Sequence, residues 1–485
     1  MSALASPQLA LAVPVVGAVL IAITGRWPNL REGVTLVTSA VLLTVVASVL
    51  PDVLAGNRPE ATLLTMLPDL ALELRVEPLG MLFALVASAL WIANSIYSIG
   101  YMRANQEQHQ TRFYVCFAIA LASTMGIAFA GNLLTLFLFY EALTLSTYPL
   151  VTHHGTPEVK RAGRVYLGIL LGTSIGMLLL AIIWTWALAG TLEFRHGGIL
   201  AGRASEAAIA VLLALYMFGI GKAALMPFHR WLPAAMVAPT PVSALLHAVA
   251  VVKAGVFSVV KVIVYVFGPD TLATVGWAQW LPVVAGFTII AASIVALRSD
   301  NLKRRLAYST VSQLSYVVMA AALLTPVSIA AAALHIAVHA FSKITLFFAA
   351  GAIYTAAHKT EVSELHGIGR RMPVTMTAFA IGALSLIGIP PMAGFLSKWY
   401  MMIGAFDARH LFAVVVLAVS TLLNAAYFLP IIHAAFFRSE GPPVRDHGEA
   451  PLPMLIATSA TAAATIGLSI FPYLALALTG ALTQR

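Results

Sequence analysis

The chain has 485 residues, of which 60% are hydrophobic and 10% charged, with a mean hydropathy of +0.91. Soluble domains are about one-quarter charged, so no soluble core absorbs this much apolar sequence and the chain belongs in a membrane. One cysteine, Cys116, excludes a disulfide framework or an all-cysteine iron–sulfur cluster within the chain, and whether the net charge of +9 serves nucleic acid or lipid is decided by where the charges lie.

Fourteen apolar segments are long enough to cross ~30 Å of hydrocarbon, which takes about 20 residues. They lie near 8–24, 33–50, 78–99, 113–130, 132–151, 162–190, 207–227, 241–267, 272–297, 305–324, 327–357, 374–403, 410–437 and 451–479. The first lacks the basic start and small-residue cleavage pattern of a signal peptide and is kept as a mature span. The expectation is an all-α polytopic membrane protein of about 14 transmembrane helices. Helices 1–3 fall in 1–112, helices 4–8 in 113–267, helices 9–13 in 272–437, and helix 14 with its tail in 451–485.

Orientation follows from the loops. With the N-terminus outside, the inside connections (25–32, 100–112, 152–164, 228–240, 298–304, 358–373 and 438–450) hold seventeen lysines and arginines, counting Arg305 at a boundary. The outside connections and tail hold six: Arg58, Arg75, Arg195, Arg203, Arg409 and Arg485. The positive-inside rule places both termini outside and the basic loops in the cytoplasm of a cell with this chain in its inner (plasma) membrane. Carboxylates split evenly and do not set orientation. The basic pI is thus explained by topology in lipid, and nucleic acid is not a partner.

Five lysines remain, all within spans: Lys222, Lys253, Lys261, Lys343 and Lys398. An ammonium at membrane depth costs at least ~2.5–3.5 kcal/mol and needs a partner, water or a function. Lys261 and Lys343 sit nearer their helix ends, where snorkelling to the headgroups competes with a buried role. Lys222, Lys253 and Lys398 have apolar sequence on both sides. Glu141, in NLLTLFLFYEALTLSTYPL, is the one carboxylate at depth and is expected to pair with Lys222.

Histidine supplies stations between lysines, since imidazole titrates near neutrality and both donates and accepts. In ALHIAVHAFSKITLFF, His335, His339 and Lys343 recur every four residues along one helical stripe. His247 lies six residues before Lys253, which is not one helical face; either the helix is distorted there or the two groups serve different segments of a path. Nothing in the spacing calls for haem, and no metal-ligand cluster calls for zinc, so no cofactor is expected. Two spans, the seventh and twelfth, are broken: Pro227, Pro233, Pro239 and Pro241 follow Lys222, and Pro390 and Pro391 precede Lys398. Proline frees backbone carbonyls that must find partners at depth, and transporters place ion sites beside such breaks. The recurrence suggests two five-helix repeats, spans 4–8 and 9–13, and an odd helix number inverts one relative to the other.

The FYE element with Glu141, GKAALMPFHRWLP with Lys222, PTPVSALLHAVAVVKAG with Lys253, LHIAVHAFSK with His335 and GIPPMAGFLSK with Lys398 together resemble the antiporter-like subunits shared by respiratory complex I and Mrp-type multisubunit cation/proton antiporters. Lysine on the twelfth span, histidine on the eleventh, the length, and no long lateral helix after the fourteenth span look most like the Mrp D subunit. The resemblance implies that Glu141 and Lys222 form a coupling pair, that Lys253 is the central relay, that His335 continues the axis and that Lys398 ends it. His247, His339 and Lys343 join the proton-transfer candidates on their own sequence positions. The implied partners are other Mrp-type subunits, including a larger antiporter-like A-type component and small membrane subunits, with protons and a monovalent cation as cargo.

The expected function is proton translocation for a Na+(monovalent cation)/H+ antiporter, through two half-channels joined by a hydrated axis. Glu141 stands alone at depth whereas sodium prefers several oxygen ligands, so sodium selectivity is expected on another chain. Two other classes stay open: a proton-pumping subunit of an NADH-quinone oxidoreductase or membrane-bound hydrogenase, and a membrane conduit or scaffold for a soluble enzyme. Independent catalysis is not expected, since no nucleotide loop, nucleophile–base set or redox motif is present.

Overall fold

A computed structural model of the chain describes residues 6–67, 70–439 and 447–482. Arg445 and Arg485, which entered the charge count, and the two chain ends lie outside the described residues. The chain opens with α1 (Pro7–Ile23), α2 (Pro28–Leu54) and α3 (Pro78–Ala104). Then come α4 (Gln110–Ala128), α5 (Leu133–Val151), α6 (Pro157–Ala189), α7 (Glu206–Gly219) and α8 (Thr240–Phe267). The second half holds α9 (Gly276–Arg298), α10 (Leu302–Ala322), α11 (Pro326–Ala357), α12 (Pro373–Ile387), α13 (Ala393–Asp407) and α14 (Leu411–Phe437). α15 (Leu452–Ile470) and the short α16 (Tyr473–Gly480) close it. Pro7, Pro28, Pro78, Pro157, Pro326 and Pro373 each stand in a first helical turn, where a missing N–H forfeits no intrahelical bond.

Helical structure falls at each of the fourteen expected positions, and among the described residues eleven helices are long and apolar enough to cross a membrane. The other three positions have separate reasons. α7 stops at Gly219, α10 is long enough but polar through its first half, and 374–403 is divided between α12 and α13. The all-α expectation needs one correction. β1 (Glu60–Leu67) and β2 (Leu70–Arg75) pair antiparallel in the connection before α3. The hairpin docks on the α4–α5 turn, Arg75 N–H donating to Phe129 O at 2.6 Å and Gly131 N–H to Glu73 O at 2.8 Å.

Loops expected on one side do meet one another. On the basic side His154 bonds Glu107 at 3.1 Å, Arg112 donates to His153 O at 2.9 Å, and Lys303 Nζ donates to Ala238 O at 2.7 Å. On the opposite side Leu133 N–H donates to Leu192 O at 3.0 Å, Phe194 N–H to Gly131 O at 3.1 Å, and Ile199 N–H to Val266 O at 2.9 Å. The connections therefore gather into the two alternating sets that the order of apolar segments implies.

α8 and α11 run through the centre and are enclosed on nearly all sides, as helices apolar on every face must be. Their closeness to the broken seventh span depends on Gly255 in α8. A Cβ there would stand 2.3 Å from both Ala223 N and the Lys222 carbonyl carbon, backbone atoms that have no rotamer to yield. Gly255→Ala is expected to separate α8 from the break and destabilise the protein by roughly 1–3 kcal/mol. Its thermal unfolding midpoint in detergent, compared with that of Gly404→Ala at the end of α13, checks this. Gly404's Cβ would meet Ser328 of α11 instead, so its cost falls on a different helix contact.

Candidate functional site

The first break begins where α7 ends. Gly221–Ala223 form one tight turn with Lys222 at its middle, Ala224 takes a left-handed φ of +55°, and Pro227 has no N–H to continue a helix. Backbone groups freed at membrane depth must be satisfied by protein. Lys222 N–H donates to Tyr140 OH at 3.0 Å, Trp231 Nε1–H to Gly221 O at 2.9 Å, and Met226 N–H to Thr288 Oγ1 at 3.3 Å. The Lys222 ammonium turns to α5, donating to Tyr140 O at 2.8 Å and Thr144 Oγ1 at 2.6 Å, and it lies 3.2 Å from the Tyr140 ring centroid.

The expected direct ion pair between Glu141 and Lys222 is absent from the contacts among the described residues. Tyr140 and Thr144 are four residues apart and share the face that meets Lys222, whereas Glu141, one residue on, is turned by about 100°. Its carboxylate stays within electrostatic reach of the ammonium, but neither oxygen has a hydrogen-bond partner among the described residues. The structure thus brings the two together as near neighbours on adjoining faces.

The second break is built differently. α12 ends at Gly388, whose φ of +91° suits glycine, and Pro390-Pro391 prevent the helix from continuing before α13 begins. The carbonyls this frees are met by the lysine from α13: Lys398 Nζ donates to Leu386 O at 2.8 Å and Ile387 O at 3.0 Å. Its ammonium lies 4.8 Å from the centroid of Tyr316 on α10. Each break lysine is therefore faced by a tyrosine from the second helix of its expected five-helix unit.

Between the breaks, the candidates meet on α8 and α11. Lys253 Nζ bonds His339 Nδ1. One turn along α11, His335 bonds Ser397 through Nδ1 and Gln313 through Nε2, both at 2.9 Å, and Ser397 is the neighbour of Lys398. The His335 and His339 ring centroids are 6.1 Å apart. Lys343 points to α10, donating to Ser309 Oγ at 2.9 Å and Leu306 O at 3.4 Å. His247 lies in a widened turn, with Ala250 N–H donating to Leu245 O five residues back at 3.0 Å, so the helix is distorted between His247 and Lys253. Both His247 ring nitrogens are buried without a partner among the described residues, and its ring lies 4.7 Å from that of Phe347.

Lys222, Lys253, Lys261 and Lys343 are 0% exposed and Lys398 8%, so neither Lys261 nor Lys343 snorkels. Lys261 pairs instead with Glu77 at 3.1 Å and donates to Ala130 O at 2.7 Å, which brings to the membrane edge a carboxylate that the sequence places in a connection. Sequence reading missed the neutral partners: Tyr140, Thr144, Gln313, Ser397, and the set Ser309, Tyr427, Asn424 and Tyr316. Gln313 and Asn424, amides inside apolar stretches, carried a readable signal; the hydroxyl residues, common in membrane helices, carried none.

These features define a class: a polytopic helical membrane protein with a buried lysine–histidine axis strung between two broken helices. Residues 130–424 match the family described as NADH:quinone oxidoreductase/Mrp antiporter, transmembrane, a stretch that includes every candidate from Glu141 to Lys398. The chain belongs to that family. It is 34% identical over 396 residues to NADH-quinone oxidoreductase subunit N of Desulforudis audaxviator, covering 80% of this chain and 77% of that one. It is 31% identical over 383 residues to a probable A/B-type component of a K+/H+ antiporter of Rhizobium meliloti, covering 76% of this chain and 37% of that longer protein. The fold matches a chain in the structure of the Mrp complex from Dietzia sp., with a TM-score of 0.88 at 22% identity over 100% of this chain and 97% of that one. It also matches a chain of an archaeal membrane-bound sulfane sulfur reductase, with a TM-score of 0.86 at 23% identity over 98% and 97%.

Thr144→Val keeps the side-chain volume but removes one of the two hydrogen-bond acceptors of the buried Lys222 ammonium. A loss of about 1–3 kcal/mol in stability is expected, as for a charged group left short of a partner. Thermal unfolding of Thr144→Val beside Thr147→Val, whose hydroxyl meets Tyr166 OH and not the lysine, separates the two cases.

Proposed function

We propose that this chain is the proton-translocating subunit of a multisubunit monovalent cation/proton antiporter of Mrp type, corresponding to its D subunit. The observation that carries the reading is the bonded series Lys253–His339 and His335–Ser397 beside Lys398, with Lys222 at the other break. Ammonium and imidazole groups in that order can each take and release a proton with little movement, and water can fill the remaining gaps. Glu141, without a hydrogen-bond partner among the described residues, sets the field at Lys222, and a change in its position would change how tightly that lysine holds its proton. The matched breaks and their facing tyrosines support two five-helix units of opposite orientation, each supplying one half-channel. His247 and Lys343 serve as side stations of the central segment.

The relatives in antiporter complexes support a cation-driven complex as the setting, and the partners proposed for it are a larger A-type component and small membrane subunits. The charge asymmetry supports a plasma-membrane orientation with basic loops in the cytoplasm and both ends outside. A second reading is a proton-pumping subunit of a redox complex, favoured by the relative that is an NADH-quinone oxidoreductase subunit.

Dissipation of a pH gradient on cation addition, in vesicles holding the complete assembly, tests the first against the second. A sodium- or potassium-dependent signal is expected for wild type, and Lys222→Ala at equal expression should lose roughly 100-fold or more of it, as expected when a positioned proton carrier is deleted. Lys398→Ala should be similarly impaired. A signal absent with cations and present on addition of NADH or another reductant moves the chain to the redox-driven pumps. Wild-type rates in both assembled mutants would overturn the lysine axis.

A further inference from the structure

The basic side of the molecule holds a cavity that the lysine axis does not use. Its volume is about 260 Å³, and its walls include Tyr101, Glu107, His154, Thr240, Lys303 and Lys359. Five separate connections contribute to it: 100–112, 152–164, 228–240, 298–304 and 358–373, all from the basic set. Glu107 is the one carboxylate on this lining. It meets His154 Nε2 at 3.1 and 3.2 Å through its two oxygens, and His153 Nε2 lies 3.6 Å away.

The two histidines differ in kind. Burial pushes His153 down to about 4, so it stays neutral near neutral pH. His154, 40% exposed, is raised above the ordinary imidazole value, first by its hydrogen bond to Glu107, with burial and Lys303 pulling the other way. The ionised carboxylate is an acceptor and favours the imidazolium, which has an N–H to give it, against those opposing effects. The charged groups facing the pair are Arg112, which donates to His153 O, Lys303, held by Ala238 O, and Lys359, with Tyr101 and Tyr354 among the walls. At the other end, Thr240 on the lining begins α8 seven residues before His247, two turns or about 10 Å along the helix. Ala350 on the lining stands one turn from Phe347, the ring against His247. The cavity thus lies between a carboxylate–imidazole pair at the surface and the turns of α8 and α11 that adjoin His247 and Phe347, and both His247 nitrogens have no partner among the described residues.

We propose that Glu107 and His154 form a proton-loading site at this mouth, accepting protons from solution on the basic-loop side and passing them through the cavity toward His247. In the step, hydronium gives its proton to His154 and leaves as water; the imidazolium, held by Glu107, releases that proton to cavity water, and no other co-reactant is needed. This role rests on the proton-transport reading above. The sign follows from the pair: while Glu107 is ionised, His154 stays protonated to higher pH than a free imidazole and so loads when protons are scarce.

The test has two readouts on the assembled complex, for wild type, Glu107→Gln and His154→Gln. The first is the pH dependence of His154 carbethoxylation by diethyl pyrocarbonate, followed by peptide mass spectrometry, which requires no transport. Glu107→Gln is expected to move its midpoint to lower pH. The second is proton uptake from the basic-loop side as a function of pH, where Glu107→Gln should lose activity several-fold on the alkaline limb and keep it at acid pH, and His154→Gln should show the same pattern. An unmoved midpoint, or a moved midpoint with an unchanged uptake profile, overturns the loading site while leaving transport intact. A wild-type assembly that shows the His154 titration but moves no protons overturns the transport reading, and the loading role with it.

Discussion

An ammonium buried in hydrocarbon has to be surrounded by oxygen or nitrogen, and among the described residues this chain buries five. Each solution uses what its surroundings supply. At the second break, the helix is cut so that Leu386 and Ile387 have carbonyls to spare, and Lys398 takes both. At the first, the carbonyl comes from an unbroken stretch of helix: Tyr140 O in α5 accepts from Lys222, with Thr144 beside it. Lys253 uses an imidazole, Lys343 a serine, and Lys261 the single carboxylate that folds in to meet it. Among the described residues, none of the axis lysines is closed in a tight ion pair. That leaves their charge adjustable, whereas a buried salt bridge would hold it.

The break at Lys222 and the helix of Lys253 depend on each other. Gly255 lets the backbone of α8 lie on the backbone at Lys222, so the two lysines share one packing contact although different elements carry them. On the far side, Lys343 and Lys398 are joined by neutral groups. Ser309 meets Lys343 and accepts from Tyr427 OH at 3.1 Å, Tyr427 bonds Asn424, and Asn424 reaches Tyr316 OH at 3.4 Å and Leu386 O at 3.5 Å. An amide in that chain passes orientation but is a poor proton carrier. The imidazoles of His339 and His335 run alongside it and are suited to carry protons. On the proposed reading, α14 holds the axis and α11 relays along it.

A chain of the Mrp complex and a chain of a membrane-bound sulfane sulfur reductase share this fold, and the sequence relatives include an NADH-quinone oxidoreductase subunit, so one fold serves different complexes. On the proposed reading, the lysine–histidine axis responds to a process that moves charge near one end. Glu141, oriented away from its lysine's first contacts and without a hydrogen-bond partner among the described residues, stands where such a process would act.

Much was legible in the amino-acid sequence because the membrane imposes strong rules on it. Apolar length gave the positions of the helices and the two sets of connections that the loop contacts repeat, and prolines next to Lys222 and Lys398 marked both breaks. The i, i+4 spacing placed His335, His339 and Lys343 on one stripe of a single helix, since that relation is local. Partnership was not local. Whether Glu141 or its neighbours Tyr140 and Thr144 faced Lys222 depended on the rotation of α5 against a broken segment some eighty residues away, and about 100° of helix rotation separates the two answers. Glu77 fell in a connection by hydropathy and was brought to Lys261 by the hairpin's docking. Tertiary packing alone decided these, because a hydroxyl or carbonyl becomes a lysine's partner only when another helix sets it at hydrogen-bond distance.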